Sequence, residues 1–151
     1  MKLVQLLENR SKEIIDRAAQ SVLHARLRHY ETNETEENRR RLERLYGVAV
    51  ECVKQRDLIP MLEYAREVAR ERYPSHYDLQ EVQTVFNLLE EEVWKRITEE
   101  LRPADYPESF GLISTVLGAG KQALAAEYVA LASHRNEEAF SIDLNALSRA
   151  L

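Results

Sequence analysis

Over residues 78–101, Val82, Phe86, Leu89, Val93 and Ile97 recur at the three-to-four spacing that lines one face of a helix. Val85, Leu88 and Leu101 widen that face. The pattern predicts one long helix around which the remaining elements pack. Asp78 with Glu81 three residues on supplies a capping-box start, and Arg102-Pro103 supplies a stop. Glu91 with Lys95, and Glu92 with Arg96, form i,i+4 pairs in the favourable order on the outer side. Glu90, Glu91 and Glu92 point in three directions round such a helix, so they read as solvated and not as one ligand set.

The same period recurs through the chain. A first helix is predicted over about residues 2–29, with Leu3, Leu7, Ile14, Ala18, Val22 and Ala25 along its seam. Asn9, Arg10 and Ser11 leave a polar gap where a short leading turn could break off. Thr32 or Asn33 then offers a cap for a second helix carrying Leu42, Leu45, Tyr46, Ala49, Cys52 and Val53 and ending near Arg56. Gly47 inside it costs about 1 kcal/mol relative to Ala, which a close helix crossing would explain. Asp57 caps a third helix with Pro60 in its first turn and Leu58, Met61, Leu62, Ala65, Val68 and Ala69 buried. Tyr73-Pro74 ends it.

After the long helix, residues 107–133 stay helical but change in character. Gly111, Gly118 and Gly120 combine with Ala119, Ala123, Ala125, Ala126, Ala130 and Ala132 into a helix that is small-sided almost all round. Residues 135–138 are polar, and residues 141–151 form either a last short helix or the start of a connector. The pattern therefore predicts an all-α, single-domain bundle of five to six helices over residues 1–134, with a C-terminal extension or short helix over residues 135–151.

Composition narrows the function classes. A chain of 151 residues, 44% hydrophobic and 31% charged, suits one helical domain with a real core. A net charge of −5 opposes nonspecific nucleic-acid binding, which needs a cationic surface. The run Arg39, Arg40, Arg41 reads as a solvated face following the acidic start of its helix. Cys52 is the only cysteine and sits among apolar neighbours, which predicts a buried, inert thiol. No stretch approaches the roughly 18 apolar residues of a membrane span, and the N-terminus lacks the apolar run of a signal peptide. The expectation is a cytoplasmic protein with no membrane or nucleic-acid partner.

Chemistry-bearing motifs are absent. Gly118-Ala119-Gly120-Lys121 has the Gly-Lys of a phosphate loop, but Gln122 stands where Ser or Thr is required and no strand precedes it. His24 and His29 are five apart and do not share a helix face, and no His-Glu-x-x-His pair exists. His24 alone has apolar neighbours in sequence, and it reads as a boundary residue and not a haem ligand. No nucleophile elbow or positioned base is present. The reading is a non-enzyme without cofactor or metal. Its alternative is a small apolar-ligand module in which tyrosines rim an enclosed pocket.

Three segments carry a family resemblance: MLEYAREVARER over residues 61–72, YDLQEV over residues 77–82 and FNLLEEEVW over residues 86–94. They resemble the helical N-terminal domain of RsbT co-antagonist (stressosome-type) regulators, a domain type similar to the sensory front ends of some histidine kinases. The resemblance implies a cytoplasmic, globin-like but non-haem bundle that dimerises and passes a signal to a C-terminal output domain. No STAS or kinase module follows Leu151 in this sequence, so the expectation is a stand-alone relative or one part of a longer sensor. The predicted working surfaces are the amphipathic first helix and the small-sided helix. On the latter, Gly111, Gly118, Ala119, Ala123 and Ala126 are the candidates for a homodimer contact or close packing.

Overall fold

The computed structural model describes the backbone over residues 1–31 and 35–150, and side chains over residues 1–31 and 35–134. Among the described residues the chain forms seven α-helices and one 3-10 turn. These are α1 (Leu3–Asn9), α2 (Ser11–His24), α3 (Arg28–Glu31), α4 (Thr35–Gln55), α5 (Ile59–Arg72), α6 (Leu79–Glu100), the 3-10 turn Pro103–Asp105, and α7 (Tyr106–Ala150). The all-α bundle is as expected, with slightly more helices than the five to six predicted.

The extra elements come from the first predicted helix. It breaks at Arg10, in the polar gap, and ends at His24 instead of near His29. Arg26 adopts a left-handed φ of 51°, which turns the chain into the short α3. Leu23, His24 and Ala25 are exposed in consequence, so the buried seam stops at Val22 and His24 has no apolar pocket. At the other end of the chain α7 runs without interruption to Ala150, across the polar residues 135–138 where a break was expected. The caps proposed at Thr32 and Asn33 lie outside the described residues.

Helix α6 is central. Its Val82, Val85, Phe86, Leu89, Val93 and Ile97 are all buried, as the period required. Helix α7 packs chiefly on α5 and α6, α2 lies on α4 and α6, and α4 lies on α5. Helix α7 buries Ile113, Val116, Leu117, Gly120, Leu124 and Tyr128, a stripe at three- and four-residue steps. Tyr46 closes the bundle's other side by donating its hydroxyl hydrogen to the Leu7 carbonyl. Burial pushes the Tyr46 hydroxyl well above its usual range. Cys52 is buried as predicted, and burial raises its thiol as well.

Three local expectations are corrected. Asp78 is the N-cap of α6, but its side chain makes no capping bond, and Glu81 turns inward instead of completing a box. Asp57 is one residue short of the α5 N-cap, Leu58, yet its Oδ1 still accepts the Ile59 N–H at 3.0 Å. Gly47 faces solvent, and a Cβ there would meet nothing within 4 Å, so no helix crosses at that point.

Candidate functional site

Two features stand out from the packed core: a cluster of arginines and tyrosines inside the bundle, and the outer face of α7. The cluster forms where α3, α4, α5, α6 and the turn before α6 converge. Arg72 ends α5 in register with Met61, Ala65, Val68 and Ala69, so the helical period carries it inward, and it is 5% exposed. Arg41 lies one position before the buried Leu42 on α4 and is likewise drawn in. Its guanidinium stacks 5.3 Å from the Tyr77 ring centre and 5.8 Å from that of Tyr30. It donates to the Tyr77 hydroxyl and to Glu37, each at 2.9 Å. Arg41 is therefore not part of a solvated charge run. Arg39 pairs with Asp16 and Glu43, and only Arg40 of the three stands fully in water.

Around the two guanidiniums the walls are aromatic. Tyr30 and Tyr77 meet edge to face at 5.2 Å, and His29 packs on Tyr77 at 5.0 Å. Arg72 lies 5.9 Å from the Tyr77 ring centre. Glu81, only 8% exposed, accepts the His29 backbone N–H at 3.2 Å, and its Oε2 sits 3.0 Å from His29 Nδ1. This pair pins α3 to α6. Tyr128 of α7 donates to the Tyr77 carbonyl at 3.0 Å and stacks at right angles on Tyr73. Burial pushes the hydroxyls of Tyr30 and Tyr128 up to about 12, against the opposing pull of Arg72. These two hydroxyls are thus neutral at any physiological pH.

The cluster encloses little space. A cavity of about 10 Å³ lies among Tyr30, Arg41, Tyr64, Arg72 and the aliphatic side chains around Phe86. That is room for one water-sized species and not for an apolar organic ligand. A larger groove of about 400 Å³ opens elsewhere, between the α4–α5 corner and the start of α7, and is lined by Leu58, Pro107, Leu112 and Val116 without a tyrosine or phenylalanine. A third opening, of about 370 Å³, is rimmed by Tyr73, Tyr77 and Tyr128 with His76, Asp78 and Leu79; it is a cleft open to solvent and not the enclosed pocket expected for a ligand module. No group of three or more His, Cys, Asp or Glu among the described residues is placed to hold a metal ion.

Of the five small residues singled out on α7, Gly111, Gly118, Ala119 and Ala126 lie towards the outer side, and Ala123 lies at the edge, packed against the core. Gly111 and Ala126 are exposed, and Gly118, Ala119 and Ala123 are partly exposed. A Cβ built on Gly111 or Gly118 would meet nothing within 4 Å. The close approach inside the bundle falls instead at Gly120, where a Cβ would come within 2.8 Å of Met61 Sδ and 2.9 Å of Phe86 Cε2. Val129 on the same helix is 63% exposed. Trp94 of α6 is 43% exposed and stacks on Phe110 of α7 at 5.2 Å. Glu92, read as solvated, is 5% exposed and paired with Lys95 at 3.0 Å. None of the helices among the described residues is long and apolar enough to cross a membrane.

Sequence periodicity could have found Arg72, since residues 61, 65, 68 and 72 share one face. It missed the residue because charge was read as an outward label. His29 and Tyr77 carried no such signal, as each acts through a partner distant in sequence.

A family model described as the RsbT co-antagonist protein rsbRD N-terminal domain matches residues 11–143. No curated protein and no solved structure matches the chain.

Proposed function

Because the chain belongs to the family of RsbT co-antagonist protein rsbRD N-terminal domains, we propose that it is a non-catalytic sensory or regulatory domain of stress signalling that acts through protein contacts. It works in the cytoplasm as a homodimer and hands its state to a regulatory partner or output domain. Residues 1–134 are the sensing bundle, and residues 135–151 the extension through which the signal leaves.

The family match carries the reading. The outer face of α7 supports it: Gly111, Gly118, Ala119 and Ala126 leave one side of the helix low and uncovered, with Ala123 at the edge of that side against the core. Small side chains allow a second helix to approach closely, and an isologous contact would set two copies of α7 against each other. One helix then serves the core with one face and the dimer with the other.

The test is the mass of the full chain in solution. The expected result is a dimer for the wild type, and a monomer of unchanged helicity for Gly118→Leu, because a leucine there blocks a close approach and its Cβ meets nothing within 4 Å in its own chain. A monomeric wild type across the micromolar range would overturn the dimer, as would an undiminished dimer in the variant.

A further inference from the structure

Arg72 is the one side chain in the cluster whose surroundings do not account for its charge. It is 5% exposed. Its Nε has no hydrogen-bond partner, and the guanidinium has no ion pair among the described residues. Asp78 and Glu81 bear with it on the Tyr128 hydroxyl without pairing to it, and Arg41, the other cation lining the same cavity, directs its donors to Glu37 and the Tyr77 hydroxyl. A buried charge without a counter-charge is costly and is retained only where something supplies the missing partner.

We propose that the cavity between Arg72 and Arg41 is a binding site for one small monovalent anion of the size and charge of chloride. The cavity volume of about 10 Å³ admits a single monatomic or water-sized species and excludes carboxylate- or phosphate-bearing organic molecules. No acidic side chain lines it. The walls are two guanidiniums, Tyr30, Tyr64, Phe86 and aliphatic groups. Such a site is cationic. Burial holds both tyrosine hydroxyls protonated, so neither supplies a phenolate as an internal counter-ion. A bare water molecule would leave the guanidinium charge unpaired, whereas an anion pairs it and ties together α4, α5 and α6 at the point where α3 is pinned.

The experiment uses the full chain in gluconate at fixed ionic strength, with chloride titrated in its place. The expected result is a melting temperature that rises by roughly 3–6 °C and saturates, because a ligand that binds only the folded state stabilises it. Bromide should do the same. The quadrupolar line of free chloride should broaden in the presence of the protein and narrow again when bromide is added. Arg72→Met, which keeps the aliphatic stem and removes the charge, should abolish both effects. If that variant does not fold, Arg41→Gln is read instead, and its chloride affinity should fall at least tenfold. In crystals grown from bromide, an anomalous peak should lie between the two guanidiniums. Equal melting temperatures in chloride and gluconate would overturn the proposal. So would full retention of the chloride response in the variant read, or a water alone in the cavity.

Discussion

Gly118 and Gly120 stand two residues apart on α7 and have opposite surroundings. A Cβ on Gly120 would collide with Met61 and Phe86, whereas a Cβ on Gly118 would meet open space. Two residues are a little over half a helical turn, enough to carry one glycine into the bundle and leave the other outside. Inside, the missing side chain lets α7 settle onto α5 and α6. Outside, it settles nothing within the chain. The inner glycine is explained by the fold, and the outer one by what the fold leaves over. A run of small residues is therefore two features superposed, and only the packing around each position separates them.

Substitutions on the two sides should differ in sign as well as size. The largest effect is expected for Phe86→Ala, which empties the inner contact of Gly120 and should cost roughly 3–5 kcal/mol in denaturant unfolding. A loss below about 1 kcal/mol would mean that the ring does not anchor the α6–α7 seam. Next comes Gly120→Ala. Overpacking against Met61 and Phe86 typically costs about 1–3 kcal/mol, and the better helix propensity of alanine returns up to about 1. A net loss of roughly 1–2 kcal/mol is expected, and a gain would show that Met61 yields freely. The smallest effect belongs to Gly118→Ala, measured at dilutions where the chain is monomeric. With nothing to strike, the alanine should stabilise by up to about 1 kcal/mol. Destabilisation by the same amount would erase the contrast between the two faces.

The sequence made the helices readable because each carries an unbroken apolar period. The α6 core residues and the Pro60 and Tyr73 boundaries of α5 followed from spacing and from proline chemistry alone. The α2–α3 corner did not, because it is turned by Arg26 at positive φ, where no glycine or proline marks it. The polar residues 135–138 suggested a break, but nothing in them forbids a helix, and α7 continues through. Inside the bundle the failure was of another kind. Arg41, Arg72, Glu81 and Glu92 sit on or beside apolar stripes, and their charge argued against burial. A long side chain can follow its helix inward when a ring or an opposite charge receives it, and Tyr77, Tyr30, His29 and Lys95 do so here. Those receivers are brought up by tertiary structure, so their role could not be read from local pattern.

All four glycines of the chain lie inside helices, and among the described residues the left-handed corners are made by Arg26, Arg56 and His76 at φ values of 51°, 52° and 66°. At the latter two, the following N–H closes back on a carbonyl five residues earlier, Asp57 to Cys52 and Tyr77 to Arg72, which is the helix ending where glycine is the usual occupant. Each non-glycine residue held there carries a conformational penalty on the order of 1–2 kcal/mol. All three are exposed. The domain therefore keeps a reserve of thermal headroom at its rim, reachable without altering the buried arginines, and at Arg26 and His76 without touching a contact of α7 such as the Arg56–Glu108 pair. A hardened variant made at these corners alone would leave both the anion cavity and the outer surface as nature shaped them.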